Sequence, residues 1–108
     1  MHILVVEDER TLCDTIVRSL RHLAYSVDYC YDGKTAMEML CIERFDLVVL
    51  DLNLPDTDGM TVLKELRKTD SDTKVLILPI RLRVWTQAQM IILLSRFILM
   101  SLPQEYAI

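Results

Sequence analysis

Two short, unbroken apolar runs in this chain each stop on acid. Ile3-Leu4-Val5-Val6 ends at Glu7-Asp8-Glu9, and Leu47-Val48-Val49-Leu50 ends at Asp51. A run with no polar alternation suits a strand covered on both faces, which is the mark of a parallel sheet. Parallel neighbours need crossover connections, and the segments between the runs have helical spacing. Leu12, Ile16, Leu20 and Leu23 recur at three- and four-residue steps, with Cys13 and Val17 widening the stripe. Ala36, Met37, Leu40 and Cys41 mark a second helix; Met60, Leu63 and Leu66, with Val62 beside them, mark a third. Ser26–Cys30 and Lys74–Leu78 read as further strands, and Asp32-Gly33, Pro55 and Asp58-Gly59 as turns. The predicted fold is α/β, a doubly wound parallel sheet built from right-handed βαβ units.

In open sheets of this kind the functional crevice lies beyond the carboxyl ends of the strands. Both acidic stops sit at such ends, and they converge if the first and third strands are neighbours. Carboxylates a few ångströms apart repel, so a cluster persists only if one is protonated or a cation neutralises it. Hard oxygen donors in a partly open site favour Mg²⁺, which keeps several waters and pairs with phosphate. A carboxylate can also attack phosphorus to give an acyl phosphate. The expected assignment makes Asp51 the nucleophile. Glu7 and Asp8 are acidic metal ligands, and Asp51 and the Asn53 main-chain carbonyl complete the set. A Glu-Asp-Glu triplet alone is more often a solvated turn or helix start. The conjunction of two acidic stops, with Pro55 and Gly59 closing the second loop, carries the reading.

Composition narrows the class. With 108 residues the chain is one domain, and its net charge of −4 disfavours nucleic acid and anionic membranes as partners. Apolar strand residues begin at Ile3 with no basic leader, so a cytoplasmic protein with no membrane span is expected. Cys13, Cys30 and Cys41 show no metal-type spacing and are expected to be buried free thiols.

Three segments together resemble the receiver domain of two-component response regulators, especially the winged-helix class. They are Ile3 to Glu9, Asp46 to Pro55 followed by Asp58-Gly59, and Val75 to Leu78. The resemblance covers residues 1–78. It implies a flavodoxin-like sheet with strand order 2-1-3-4-5 and phosphoryl transfer from a sensor histidine kinase. By position it makes Asp51 the phospho-acceptor, Glu7 and Asp8 the acidic metal pair, and Asn53 the carbonyl ligand for Mg²⁺. It also implies a signalling protein that promotes its own phosphorylation rather than a turnover enzyme.

After Leu78 the pattern breaks. Residues 1–78 carry nine basic and fifteen acidic residues, a net charge of −6. Residues 79–108 carry three arginines and Glu105, with no Asp, Lys or Gly. The Thr or Ser that the family places after its fourth strand, and the Lys-Pro pair of its fifth, are missing: Leu78 runs into Pro79-Ile80-Arg81, and the last lysine is Lys74. A shifted reading frame accounts for this. If the third base of each codon joins the first two of the next, Trp85-Thr86 forces GAC and Met90-Ile91 forces GAT, both aspartate. Arg83 to Ile98 can then decode as Gly-Leu-Asp-x-Gly-Ala-(Asn/Asp)-Asp-Tyr-Leu-x-Lys-Pro-Phe-(His/Tyr), the family's pattern around that strand. The expectation is a receiver core at 1–78 and an aberrant, out-of-frame apolar tail at 79–108. That tail would replace the fifth strand, the last helices and the family's dimer face, impair switching, and bring no DNA-binding domain or direct nucleic-acid contact. Its apolar stretch Met90–Met100 is too short to span a bilayer. It could serve as an amphipathic helix, with Arg96 a poor cationic face, or fill the fifth-strand position through Ile91–Leu94.

Two other readings are open from sequence. Asp56-Thr57-Asp58-Gly59 echoes the Asp-x-Asp-Gly motif of haloacid-dehalogenase-like phosphohydrolases, with Asp56 and Asp58 reactive, although Pro55 and Leu52–Leu54 separate it from the strand. The other is a non-catalytic interaction module whose acidic cluster is only surface.

Overall fold

The structure, a computed structural model, describes residues 1–69, 72–78 and 86–101. Its elements run β1 (His2–Val6), α1 (Arg10–His22), β2 (Ser26–Cys30), α2 (Gly33–Ile42), β3 (Leu47–Leu50), α3 (Gly59–Thr69), β4 (Lys74–Ile77) and α4 (Gln87–Ser101). The strands form one parallel sheet in the order β2-β1-β3-β4. The two apolar runs are therefore central neighbours, with Val6 opposite Leu50, so the acids after them emerge side by side.

Alternation along each strand divides the core into two layers. Ile3, Val5, Leu47 and Val49 face α1 and α4. Leu4, Val6, Val48 and Leu50 face α2 and α3. All eight are buried, as both-face cover requires.

Local chemistry starts each helix. Glu9 caps α1, its carboxylate accepting from the Thr11 and Leu12 N–H groups at 3.1 and 2.9 Å. Asp32 caps α2 through the Thr35 N–H at 2.7 Å. The α1 stripe buries Leu12, Cys13, Ile16, Val17 and Leu20 as expected. In α3 the stripe is rotated: Val62 and Leu66 are buried while Met60 lies exposed, because the helix begins at Gly59 and turns Met60 outward. Cys13 and Cys30 are buried, but Cys41 is exposed near the end of α2, against the expectation for all three thiols. Strand β4 ends one residue before the expected Leu78, which is nonetheless buried.

Helix α4 occupies part of the tail. It opens on a capping box: the Gln89 N–H donates to Thr86 Oγ1 at 3.3 Å, and the Thr86 N–H donates to Gln89 Oε1 at 2.9 Å. Met90, Leu94 and Ile98, spaced one helical turn apart, are buried against α1. Ser19 Oγ of α1 lies 3.5 Å from the Gln87 carbonyl at the crossing. Ile91–Leu94 is helical, so it does not take the place of a fifth strand. Pro79, Arg81 and Trp85 lie outside the described residues. Among those described there is no fifth strand and no helix long and apolar enough to cross a membrane.

Candidate functional site

The β1 and β3 ends bring Glu7, Asp8 and Asp51 together, with one carboxylate oxygen from each lying within 4.8 Å of the others. Backbone bonds fix the approach. The Asp51 N–H donates to the Val6 carbonyl at 3.0 Å, and the Glu7 N–H to the Cys30 carbonyl at 3.2 Å, so each acid leaves its strand in a set direction. Glu7 is 1% and Asp51 6% exposed; Asp8 is half-buried. Three acids this close and this dry cannot all stay charged without compensation. Burial pushes the Glu7 carboxyl up to about 8; the Glu9 amide works against this, and negative Asp51 and Asp8, together with a shared proton between the Glu7 and Asp51 carboxyls, add to it.

The hydrogen bonds of the cluster are incomplete. Glu7 Oε1 accepts from the Glu9 N–H and Asp51 Oδ1 from the Asn53 N–H, both at 3.1 Å. Asp8 Oδ1 and Asp51 Oδ2 are buried with no partner. An acceptor stripped of water and left unpaired costs roughly 1–3 kcal/mol, more when charged.

The loop after β3 is drawn tight around this cluster. Asn53 and Asp58 form an isolated antiparallel bridge, and the Gly59 N–H donates to the Leu52 carbonyl at 3.0 Å. A Cβ at Gly59 would meet the Asp51 carbonyl oxygen at 2.5 Å and Leu52 Cα at 2.7 Å, so the close pass of α3 by Asp51 demands glycine. The Asp58-Gly59 pair signals a turn in the sequence; that the glycine abuts Asp51 is visible only in three dimensions.

Asp56 and Asp58, the alternative reactive pair, are committed elsewhere. Asp58 Oδ1 accepts the Met60 N–H at 3.0 Å, at the start of α3. Exposed Asp56 accepts the Gly33 and Lys34 N–H groups at 2.8 and 2.9 Å, which hold its carboxyl below the ordinary carboxylate range. Both act as caps on helix starts, and neither joins the acidic cluster. Cys13 and Cys30 are pushed up to about 12 by burial and are inert as nucleophiles.

A second carboxylate group sits at the opposite end of the sheet. His2 Nε2 lies 2.9 Å from Asp28 Oδ2, and Nδ1 lies 3.4 Å from Glu43 Oε2. Each ring nitrogen faces a carboxylate, so the ring pins β1 to β2 and to the end of α2.

Comparison with known proteins bears on this geometry. The family model for the response regulator receiver domain matches residues 3–92. Response regulator MprA of Mycobacterium avium is 41% identical over 81 residues, 75% of this chain and 36% of MprA. MprA of Mycobacterium tuberculosis (strain H37Ra) is 40% identical over the same length, 35% of its own chain. The chain thus spans just over a third of the length of the curated relatives it matches. Among solved structures, response regulator TrrA of Thermotoga maritima, in complex with Mg²⁺-BeF, superposes with a TM-score of 0.68 at 28% identity, over 82% of this chain and 79% of TrrA. The receiver domain of sensor histidine kinase PA1611 from Pseudomonas aeruginosa, with magnesium coordinated in its active-site cleft, gives a TM-score of 0.75 at 24% identity, over 90% and 96% of the two chains. The last of these likenesses concerns the fold.

Proposed function

The chain belongs to the response regulator receiver domain family, and on that premise we propose that Asp51 accepts a phosphoryl group from the phosphohistidine of a sensor histidine kinase. One observation carries this reading: a buried carboxylate at the carboxyl end of a central strand keeps one oxygen, Oδ2, without a partner beside two further acids. Receiver domains of response regulators are signalling modules, and their neighbours in structure are crystallised with Mg²⁺.

The residues present fit a magnesium ion. All donors are hard oxygens, and one of them, Asp8 Oδ1, is buried and unpaired among the described residues. Glu7, Asp8, Asp51 and the Asn53 carbonyl would hold it. Bound Mg²⁺ supplies positive charge against the acidic cluster and the phosphoryl oxygens. The chain's own residues do the rest. The Asn53 N–H fixes the rotation of the Asp51 carboxylate by holding Oδ1, which leaves Oδ2 free to face phosphorus. In the transfer, the carboxylate–phosphorus bond forms as the phosphorus–nitrogen bond to the kinase imidazole breaks, and the imidazole leaves. The burial that raises Glu7 also keeps bulk water off the acceptor.

The reading includes the tail. Residues 79–108 read as an out-of-frame replacement for the segment that carries the family's hydroxyl and lysine, so phosphorylation is slow and switching is impaired. Sequencing the gene tests this part: an intact alternative frame encoding the Lys-Pro pattern agrees with it, and a frame broken by stops contradicts it. With a net charge of −6 on residues 1–78, this chain has no basic footprint for nucleic acid and is read as acting on protein partners.

The acceptor itself is tested with acetyl phosphate and Mg²⁺, followed by intact mass. One phosphate adduct is expected on the wild-type chain and none on Asp51→Asn. No adduct on the wild type, or an adduct that survives in the variant, would refute Asp51 as acceptor.

A further inference from the structure

Three connections surround the acidic cluster. Strand β3 is tied to β1 by the Asp51 N–H bond to the Val6 carbonyl, at 3.0 Å. Strand β1 is tied to the end of β2 by the Glu7 N–H bond to the Cys30 carbonyl, at 3.2 Å. Just past β2, the start of α2 is tied back to the loop after β3 by the two Asp56 bonds, 2.8 Å from the Gly33 N–H and 2.9 Å from the Lys34 N–H. The first two ties are main chain to main chain. The third, which closes the ring, depends on one side chain.

Helix α2 does not need Asp56 in order to start. Asp32 already caps it through the Thr35 N–H at 2.7 Å, so the Asp56 carboxylate is a second, tertiary cap brought from 23 residues away. The surroundings are shaped to admit it. A Cβ at Gly33 would collide with Thr57 Cγ2 and stand 3.4 Å from Asp56 Oδ1, so a larger residue there would have to displace the Thr57 side chain. Asp56 follows Asp51 by five residues in the same tight loop, whose other ties are the Asn53–Asp58 bridge and the Gly59–Leu52 bond.

We propose that Asp56 is a positioning residue: its two bonds to the α2 amino terminus hold the β3–α3 loop, and through Asn53 the Asp51 carboxylate, in the geometry that accepts cation and phosphoryl group. For its consequence at Asp51 this rests on the acceptor reading above; the latch itself rests on the hydrogen bonds. Linkage makes the effect mutual, so a ligand that orders the Asp51 loop also protects the Gly33 and Lys34 amides.

The test compares Asp56→Ala with Asp32→Ala, which removes a cap from the same helix and leaves the latch in place. Amide hydrogen exchange is read first on metal-free protein. Exchange of the Asn53 amide, which is bonded to Asp51, is expected to quicken by roughly three- to tenfold in Asp56→Ala and to stay at the wild-type rate in Asp32→Ala. Asp56→Asn, which keeps one acceptor oxygen, falls between, and it stands in for the alanine variant if that fails to fold. Mg²⁺ titration then expects affinity to weaken by about threefold or more in Asp56→Ala alone. Unchanged Asn53 exchange in Asp56→Ala, or equal changes in both alanine variants, overturns the proposal and makes Asp56 an ordinary helix cap. Failure of the wild-type chain to bind Mg²⁺ would instead remove the metal reading, while the Asn53 amide still decides the latch.

Discussion

The sheet carries a carboxylate cluster at each end, and the two are built on opposite terms. At the amino-terminal edge, Asp28 and Glu43 face the two nitrogens of His2, and both acids are close to half exposed. At the carboxyl edge, Glu7 and Asp51 are almost fully buried, and among the described residues no cationic side chain pairs with them and two oxygens of the group lack a hydrogen-bond partner. Both groups have the spacing that could hold a metal ion. Only the carboxyl-edge group is buried with carboxylate oxygens left unpaired among the described residues. Acid clusters are common in folded proteins; a buried one with unpaired oxygens is costly.

The largest change expected in stability lies outside both ends and serves as their control. Leu94→Ala, in the α1–α4 layer, should cost about 2–5 kcal/mol by chemical denaturation and leave the Mg²⁺ response of each cluster as it was. If it costs nothing, α4 does not pack on α1 as described.

Next is the pH dependence of the metal-free chain. The Glu7 carboxyl rises on folding from 4.5 to about 8, so the folded state holds a proton that the unfolded state has lost across that window. Its contribution to stability is fully present below about pH 4.5 and is lost as pH rises to about 8, a fall on the order of a few kcal/mol. Glu7→Gln should flatten that slope. Equal slopes in both proteins would show that the carboxyl edge is not strained in this way.

Asp8→Asn removes one charge and one orphan oxygen, so Mg²⁺ affinity measured by calorimetry should drop by about tenfold, roughly 1.4 kcal/mol. His2→Gln, at the other end, removes two partly exposed contacts to carboxylates and should cost under about 1 kcal/mol, with no change in Mg²⁺ affinity. A matching loss of affinity in both variants would erase the distinction between the ends.

Much of the carboxyl edge was legible in the sequence because its cause is local. Apolar runs that end on acid fix where strands stop, and parallel pairing then puts Glu7, Asp8 and Asp51 together. The rotation of α3, which exposes Met60 and buries Val62, was not legible, since it depends on where Gly59 can pass Asp51. Helix α4 had a readable signal in Thr86 and Gln89, a capping box, but tertiary burial of Met90, Leu94 and Ile98 decided helix over strand there. Asp56 was legible as an acid in a loop and suggested a phosphohydrolase motif. Its partners are the two amides that start helix α2, a contact that no local pattern encodes.

The most direct test of the contrast between the two ends is a Mg²⁺ titration followed by backbone amide shifts. Saturable shifts are expected at Glu7 to Glu9 and at Asp51 to Asn53, with His2, Asp28 and Glu43 unmoved. Shifts of equal size at both ends, or none at the carboxyl edge, would contradict the claim that its unpaired oxygens make it the cation and phosphoryl site.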